Sequence, residues 1–299
     1  MNIVIPIAIV SASAVGSVFV AVVLLALSGR RVETAGRTPT TRVLGPRYRA
    51  VRLIGRGGMG EVWEATDRLG RRVALKKLAV DAVGSRPDRE VAMLQTVRSR
   101  HVARLLDWDL TGREPWLAMD LVDGPTLHQV VQRTGPLGPA NQHELAAGLA
   151  EALRALDAAG VEHRDITPGN VVMAAHGPVL VDFGLARRWD NPRHTSVVRG
   201  THGFVAPERA AYGRSGPAVD VFGWGAVIAF AATGAPPLVP VRVGDLDRVA
   251  PELRSLVAAA LEMHPASRPH ATTLAEALQS TCESATNRAA RPRFVTAPG

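Results

Sequence analysis

Glycines recur in a G-x-G-x-x-G pattern over residues 55–60, between two apolar stretches. Because glycine has no Cβ, the backbone amides of such a turn can approach phosphate oxygens closely. A dinucleotide-binding turn would open a helix, whereas Val62–Trp63 and Val73–Leu75 have the composition of strands around a turn at 67–70. The pattern therefore predicts a glycine-rich β-hairpin that covers a nucleotide.

Lys76 and Lys77 are the only lysines in the chain, against 33 arginines. A compact ammonium differs from a guanidinium in shape and hydration, so this pair marks a place where a point charge is required. Since side chains alternate along a strand, Ala74 and Lys76 share the face under the glycine hairpin, and Lys77 points to the other face. We predict that Lys76 contacts phosphate and that Lys77 is solvated.

Glu90 follows Pro87, which can open a helix, and lies in line with the apolar residues 93, 94 and 97. It is either a surface glutamate at the edge of that apolar face or the partner of Lys76. Burying a carboxylate without a partner is costly, and the scarcity of lysine favours the pairing.

His163–Asn170 reads H-R-D-I-T-P-G-N, and Asp182–Gly184 reads D-F-G after a short predicted hairpin. Together with the glycine hairpin, the strand lysine and the helix glutamate, these motifs occur in the order typical of protein kinases. The chain resembles that family over roughly residues 48 to 279, and is most similar to bacterial, especially actinobacterial, serine/threonine kinases.

The resemblance implies a bilobal α+β fold and transfer of the ATP γ-phosphate to serine or threonine hydroxyls of proteins, including autophosphorylation. Asp165 would orient and deprotonate the acceptor hydroxyl, Asn170 and Asp182 would hold Mg²⁺ or Mn²⁺, and Glu90 would hold Lys76 at the α- and β-phosphates. Met119 resembles the gatekeeper, and residues 120–122 resemble the hinge that reads adenine. The residues expected to contact the nucleotide are Gly55, Gly57, Gly58, Gly60, Val62, Ala74, Lys76, Met119, Asp120 and Val122.

Three further positions fit the family. Ala206–Glu208 resembles the end of an activation segment, Asp220 resembles the start of the buried central helix, and Arg268 resembles the partner of Glu208. All three roles are expectations that the resemblance implies.

Two features depart from the family. Thr167 stands where serine/threonine kinases usually carry a lysine near the transferred phosphoryl group, so one positive charge is missing. The segment between Pro237 and Pro251 is also short, which predicts that a helix often used to dock partners is absent or reduced. Both bear on how fast the enzyme works and what it recognises.

Two alternatives stay open, a pseudokinase scaffold and a small-molecule phosphotransferase. Against the scaffold stand the five catalytic positions, all of which carry the expected residue types. Against the small-molecule enzyme stands the Ala206–Glu208 motif, which favours protein substrates.

The elements that position these residues divide the chain. Strand and turn patterns predict a β-rich N-lobe over residues 47–122, and helical periods predict a helical C-lobe over 123–279, followed by a flexible tail at 280–299. Before them, residues 1–29 form a predicted transmembrane anchor and residues 30–46 a juxtamembrane linker.

The anchor rests on 25 residues without a charge, Ile3 to Leu27, enough for one helical span. A cleaved signal peptide is the competing interpretation, but a basic stretch before the apolar run is missing. Ala12 and Gly16 are small residues four apart that could bring two helices together as a homodimer, or could simply face lipid. Because the arginines follow the span, the positive-inside rule predicts a single-pass protein of the cell membrane with a cytoplasmic catalytic domain. Those arginines are Arg30, Arg31, Arg37, Arg42, Arg47 and Arg49.

Composition excludes several classes of protein. The hydrophobic fraction of 46% excludes general disorder, and the single cysteine, Cys282, excludes an intramolecular disulfide or a cysteine-based metal cluster. The net charge of +8 comes from scattered arginines with few aromatic residues between them, so nucleic-acid binding is not expected.

Overall fold

The computed structural model describes residues 43–44, 47–57, 60–78, 91–92, 94–112, 114–182, 203–214, 216–242 and 244–290. All of them belong to one unit of the chain, residues 41–299. The predicted membrane span at 3–27 lies outside the described residues, as does Glu90. None of the helices in the described part is long and apolar enough to span a bilayer.

The first half of the described chain forms a six-stranded antiparallel sheet with the strand order β1-β2-β3-β4-β6-β5. The tight turn between β3 and β4 forms because the Asp67 carboxylate accepts hydrogen bonds from the backbone N–H groups of Leu69 and Arg71. Strand β1 pairs with β2 and falls within the segment predicted as a linker. The strands are β1 Val43–Leu44, β2 Tyr48–Gly57, β3 Gly60–Thr66, β4 Arg72–Leu78, β5 Leu105–Asp109 and β6 Trp116–Asp120.

The two faces of β4 meet different neighbours, as the alternation of its side chains predicts. Val73 and Leu75 pack into one apolar cluster with Tyr48, Ala65 and Trp116. On the opposite face, Leu78 packs against Val91 and Leu117, and Lys76 is buried in the same direction. The sheet therefore delivers Lys76 to one side and Lys77 to the other.

The second half is helical, with one small hairpin. Prolines at the first turns of α2, α3 and α4 suit helix starts, and Thr126 and Gln129 form a reciprocal capping box at α1. Helix α6 continues beyond the predicted start of the tail at 280, since neither glycine nor proline interrupts it. The elements are α1 Leu127–Thr134, α2 Pro139–Ala158, β7 Val171–Ala174, β8 Gly177–Leu180, α3 Pro207–Tyr212, α4 Pro217–Thr233, α5 Arg254–Ala260 and α6 Ala271–Ala290.

Helix α4 is the centre of the helical layer, because every residue from Val219 to Ala232 is buried. Trp224 donates a hydrogen bond from Nε1 to the carbonyl of Ala146 on α2, at 3.1 Å. Gly225 permits a close crossing with α5, since a Cβ there would lie 2.9 Å from the Cβ of Ala260. The α+β organisation predicted from the sequence, a sheet followed by a helical layer, is confirmed.

The described residues between Gly234 and Ala250 form turns rather than a helix. This agrees with the expectation that a docking helix is absent or reduced in the short segment between Pro237 and Pro251.

Candidate active site

The loop at 163–170 is fixed to the core helix by one buried carboxylate. Asp220, in the first turn of α4, accepts hydrogen bonds from the backbone N–H groups of His163 at 2.7 Å and Arg164 at 2.8 Å. One turn later, Gly223 leaves room for the loop, because a Cβ there would lie 2.9 Å from the Cβ of Ile166. The backbone of the loop therefore rests directly on the buried helix α4.

His163 connects this loop to the strand end that carries Asp182. Its Nδ1 accepts from the N–H of Asp165 at 3.3 Å, and its Nε2 donates to the carbonyl of Val181 at 3.1 Å. Burial lowers the pKa of His163 to about 4, so the ring is neutral near pH 7. A neutral imidazole has one donor and one acceptor, which is what these two bonds require.

Asp165, Asn170 and Asp182 are brought to one place by these connections. The Asn170 side-chain amide donates to the carbonyl and to the carboxylate of Asp165, at 2.8 and 3.0 Å. The Val181 N–H donates to the Asn170 carbonyl at 2.9 Å. The predicted acceptor-side aspartate and the two predicted metal ligands are therefore neighbours.

Two residues of this site have left-handed backbone conformations that non-glycine residues rarely adopt. Arg164 has φ of 67° and Asp182 has φ of 64°. Such conformations cost of order 1–3 kcal/mol and persist where surrounding contacts impose them, often at functional sites. The Arg164 N–H is held by the Asp220 carboxylate, and the Asp182 carboxylate is held by the Lys76 ammonium.

The donor set suits a hard cation that keeps part of its hydration shell. Asn170 and Asp182 offer one amide oxygen and one carboxylate, the oxygen ligands that Mg²⁺ prefers when substrate phosphates complete its coordination. Among the residues that the structure describes, no group of three or more His, Cys, Asp or Glu side chains could hold a metal alone. One amide oxygen and one carboxylate fit a cation that is shared with a ligand.

Lys76 reaches this site from the sheet. It is 2% exposed, and its ammonium forms an ion pair with Oδ1 of Asp182. A buried ammonium needs such a partner. The sequence predicts Glu90 as that partner; Glu90 lies outside the described residues, so its pairing stays a prediction.

Lys77 has a different environment on the opposite face of β4. Its Nζ lies 2.6 Å from Oε1 of Glu114, and its side chain is 13% exposed. The expectation of a solvated side chain is therefore wrong. The Lys77 side chain is largely buried, and its ammonium pairs with the exposed carboxylate of Glu114.

The glycine hairpin forms as predicted, with Gly57 and Gly60 facing each other in the register of β2 and β3. Gly60 has φ of 133°, and a Cβ there would collide with the carbonyl oxygen of Lys77. Arg56 and Glu61 form an ion pair across the hairpin at 2.7 Å. Gly58 lies outside the described residues.

The sheet register gathers the other residues predicted to contact a nucleotide. Val62 is paired with Lys76, and Ala74 is paired with the buried Met119. After Asp120 the chain leaves the sheet, and within the described ranges nothing hydrogen-bonds to the backbone N–H or C=O of Val122. Those two groups are free to bind a ligand, as a hinge requires.

The predicted pair of Glu208 and Arg268 is confirmed. The Arg268 guanidinium donates to both carboxylate oxygens of Glu208, at 2.7 and 2.8 Å, in a buried setting. Burial raises the pKa of Glu208, but the Arg268 hydrogen bonds outweigh it and the pKa lies below its ordinary value. This pair fixes α3 to the base of the helical layer.

Sequence reasoning missed the roles of Asp220 and His163 as the supports of the loop. Asp220 was noted only as the start of the central helix, and His163 only as part of a motif. The available signal was a single carboxylate in an otherwise apolar helix, since such a group must find donors.

The family model for the protein kinase domain matches residues 48–281. The chain therefore belongs to the protein kinase family. It is 39% identical over 244 residues to the "Probable serine/threonine-protein kinase PkwA" of Thermomonospora curvata, covering 76% of this chain and 33% of that protein. It is 37% identical over 252 residues to the serine/threonine-protein kinase AfsK of Streptomyces coelicolor, covering 78% of this chain and 31% of that protein. The chain spans about a third of the length of these two relatives.

A solved structure shows the same fold. The crystal structure of Rad53 1-466 in complex with AMP-PNP superimposes with a TM-score of 0.62 at 22% identity, covering 77% of this chain and 64% of that chain. The bilobal kinase fold predicted from the sequence is confirmed.

Proposed function

We propose that the chain is an ATP-dependent protein kinase that transfers the γ-phosphate to serine and threonine hydroxyls of proteins. The observation that carries this proposal is the meeting of Lys76, Asp165, Asn170 and Asp182 at one site. The relatives named serine/threonine-protein kinases support the choice of acceptor.

The chemistry follows from the positions of the charged groups. Asp165, held by Asn170 and by the His163 ring, would orient the acceptor hydroxyl and take its proton. Lys76 would bind the α- and β-phosphates from the sheet side. Mg²⁺ bound by Asn170 and Asp182 would neutralise charge on the phosphates. Oδ1 of Asp182 faces Lys76, which leaves its second oxygen for the cation.

The two lysines provide a matched test of this proposal. Labelled Mg-ATP and a generic protein acceptor are incubated with wild type, Lys76→Met and Lys77→Met. We expect Lys76→Met to lower the rate by about a hundredfold or more, because it removes a preorganised charge at the phosphates. The rate of Lys77→Met should stay within about twofold of the wild-type rate. The ion pair of Lys77 with the exposed Glu114 is worth at most ~1 kcal/mol.

The outcomes separate the alternatives. Equal losses from both lysine variants would contradict the assignment of Lys76. The absence of any turnover in the wild type would favour a scaffold, and labelling of metabolites alone would favour a small-molecule phosphotransferase. Circular dichroism of each variant checks that the fold is retained.

We also propose that residues 3–27 anchor the chain in the cell membrane, with the kinase domain in the cytoplasm. The uncharged run and the arginines after it support this orientation. Membrane fractionation of the full chain, compared with a variant carrying Val18→Arg and Val22→Arg, tests it. Recovery of both proteins in the same fraction would contradict the anchor.

A further inference from the structure

A groove of about 670 Å³ lies behind the hinge, against Asp120–Asp123. Its floor includes Val102, Ala103 and Val179, all of them buried apolar residues. Its rim is basic, with Arg98 and other cationic side chains. The groove therefore combines an apolar floor with a charged rim.

The acidic residues of the groove are already neutralised. Asp120 is paired with Arg104 at 2.8 Å, and Asp123 is paired with Arg72 at 3.1 Å. These carboxylates therefore do not offset the other cations of the rim.

Two arginines of the rim have no carboxylate partner among the described residues. Arg98 donates from Nη1 to the backbone carbonyls of Gln95 and Val97, at 2.5 and 3.1 Å. Arg100 directs Nε to Nε2 of His101 at 3.1 Å. Both side chains are exposed, so two positive charges face solvent beside an apolar floor.

We propose that this groove docks an extended acidic segment of a protein substrate. Carboxylates of the segment would pair with Arg98 and Arg100, and apolar side chains between them would lie on Leu121 and Ala174, the partly exposed apolar residues of the lining. A free anion would leave the apolar floor unused, whereas a peptide of alternating acidic and apolar residues uses both. This inference rests on the proposed kinase function, and it names a substrate feature that the function alone does not.

Docking at this groove raises the local concentration of a tethered acceptor without altering the chemistry. The expected signature is therefore a lower KM for acceptors that carry an acidic extension, with kcat unchanged.

Binding is tested first, without any need for turnover. The probes are two fluorescent peptides, one alternating Glu and Leu and the other alternating Gln and Leu, measured by anisotropy on the full chain. We expect the Glu peptide to bind about tenfold more tightly at low salt, since two exposed ion pairs contribute up to ~1 kcal/mol each. The Arg98→Gln/Arg100→Gln variant should lose this preference, and the exposed Arg133→Gln should keep it. Equal binding of both peptides, or an unchanged preference in the double variant, would overturn the proposal.

Kinetics then separates docking from catalysis. One acceptor peptide is phosphorylated with and without the Glu-Leu extension. The extension should lower KM about tenfold for wild type and leave it unchanged for the double variant, which should phosphorylate the plain acceptor normally. Phosphorylation without any effect of the extension would overturn the docking site alone. A binding preference without phosphorylation would support the groove and overturn the kinase function. Self-association that the double variant abolishes would assign the groove to a second copy and overturn the proposal.

Discussion

The catalytic loop and the hinge are held by different kinds of contact. The loop depends on the buried carboxylate of Asp220 and the buried ring of His163, which bond to backbone groups. The hinge is flanked by ion pairs between partly or fully exposed side chains, Arg104 with Asp120 and Arg72 with Asp123. Removing a buried acceptor leaves backbone donors unsatisfied, whereas breaking an exposed pair costs little.

The difference matches the tasks of the two regions. In the proposed function, phosphoryl transfer would depend on fixed positions for Asp165 and Asn170, so their loop would gain from contacts that solvent cannot compete for. A hinge that admits and releases a nucleotide needs a backbone that can shift at small cost. Ion pairs at the surface of the molecule permit such a shift of the backbone.

The largest effect is expected for Asp220→Ala. Two buried N–H groups lose their acceptor at about 2 kcal/mol each, so the free energy of unfolding should fall by about 4 kcal/mol. Asp123→Ala is the matched control in the hinge and should cost less than ~1 kcal/mol. Urea denaturation measures both variants. Similar losses for the two aspartates would contradict the distinction between the regions.

A pH effect is expected from the same buried groups. Burial raises the pKa of Asp220 to about 6 against the opposing backbone hydrogen bonds, and burial lowers the pKa of His163 to about 4. Because the folded state binds the Asp220 proton more tightly, that contribution to stability is present at low pH and is lost as pH rises through 6. His163 has the opposite sign, since its stability contribution is present above its unfolded pKa and is lost as pH falls toward 4. In the wild type the two contributions largely cancel between pH 4 and 6.

Removing one of these two titrating groups should reveal the pH dependence that the other contributes to stability. His163→Gln should lose stability relative to wild type as pH rises from 4 to 6, by about 3 kcal/mol at ~1.4 kcal/mol per pKa unit. Asp220→Asn is the mirror control and should gain stability relative to wild type over the same range. Urea denaturation at pH 4 and pH 6 gives both slopes. Slopes of equal sign in the two variants would show that the groups do not compensate.

The sequence predicted the features that depend on local periodicity and on the order of motifs along the chain. Alternation along β4 placed Lys76 and Lys77 on opposite faces, and the hairpin of residues 55–60 was distinguishable from a helix-opening turn because strand residues follow it. The pairing of Glu208 with Arg268 came from the family resemblance, since 60 residues separate them along the chain.

Contacts between segments that lie far apart along the chain could not be predicted from the sequence pattern. Lys77 is held by Glu114, which is 37 residues away, and Asp220 acts on a loop more than 50 residues before it. Which carboxylate meets which donor is decided by packing of the lobes, and periodicity carries no information on that. The groove behind the hinge combines residues from three separate stretches for the same reason.

The smallest effect is expected at the hinge, where Arg104 bonds to the Asp120 carboxylate from Nε and Nη2, at 2.8 and 3.2 Å. The Arg104 side chain is 64% exposed and that of Asp120 is 32% exposed, so water and salt screen the attraction. A double-mutant cycle with Arg104→Ala and Asp120→Ala should give a coupling energy of about 0.5 kcal/mol that falls toward zero in ~1 M salt. The same cycle on Glu208→Ala and Arg268→Ala, a buried bidentate pair, should give a severalfold larger coupling that salt changes little. Equal couplings, or equal salt dependence, would mean that exposure does not separate the hinge from the buried contacts, and the contrast between the two regions would fail.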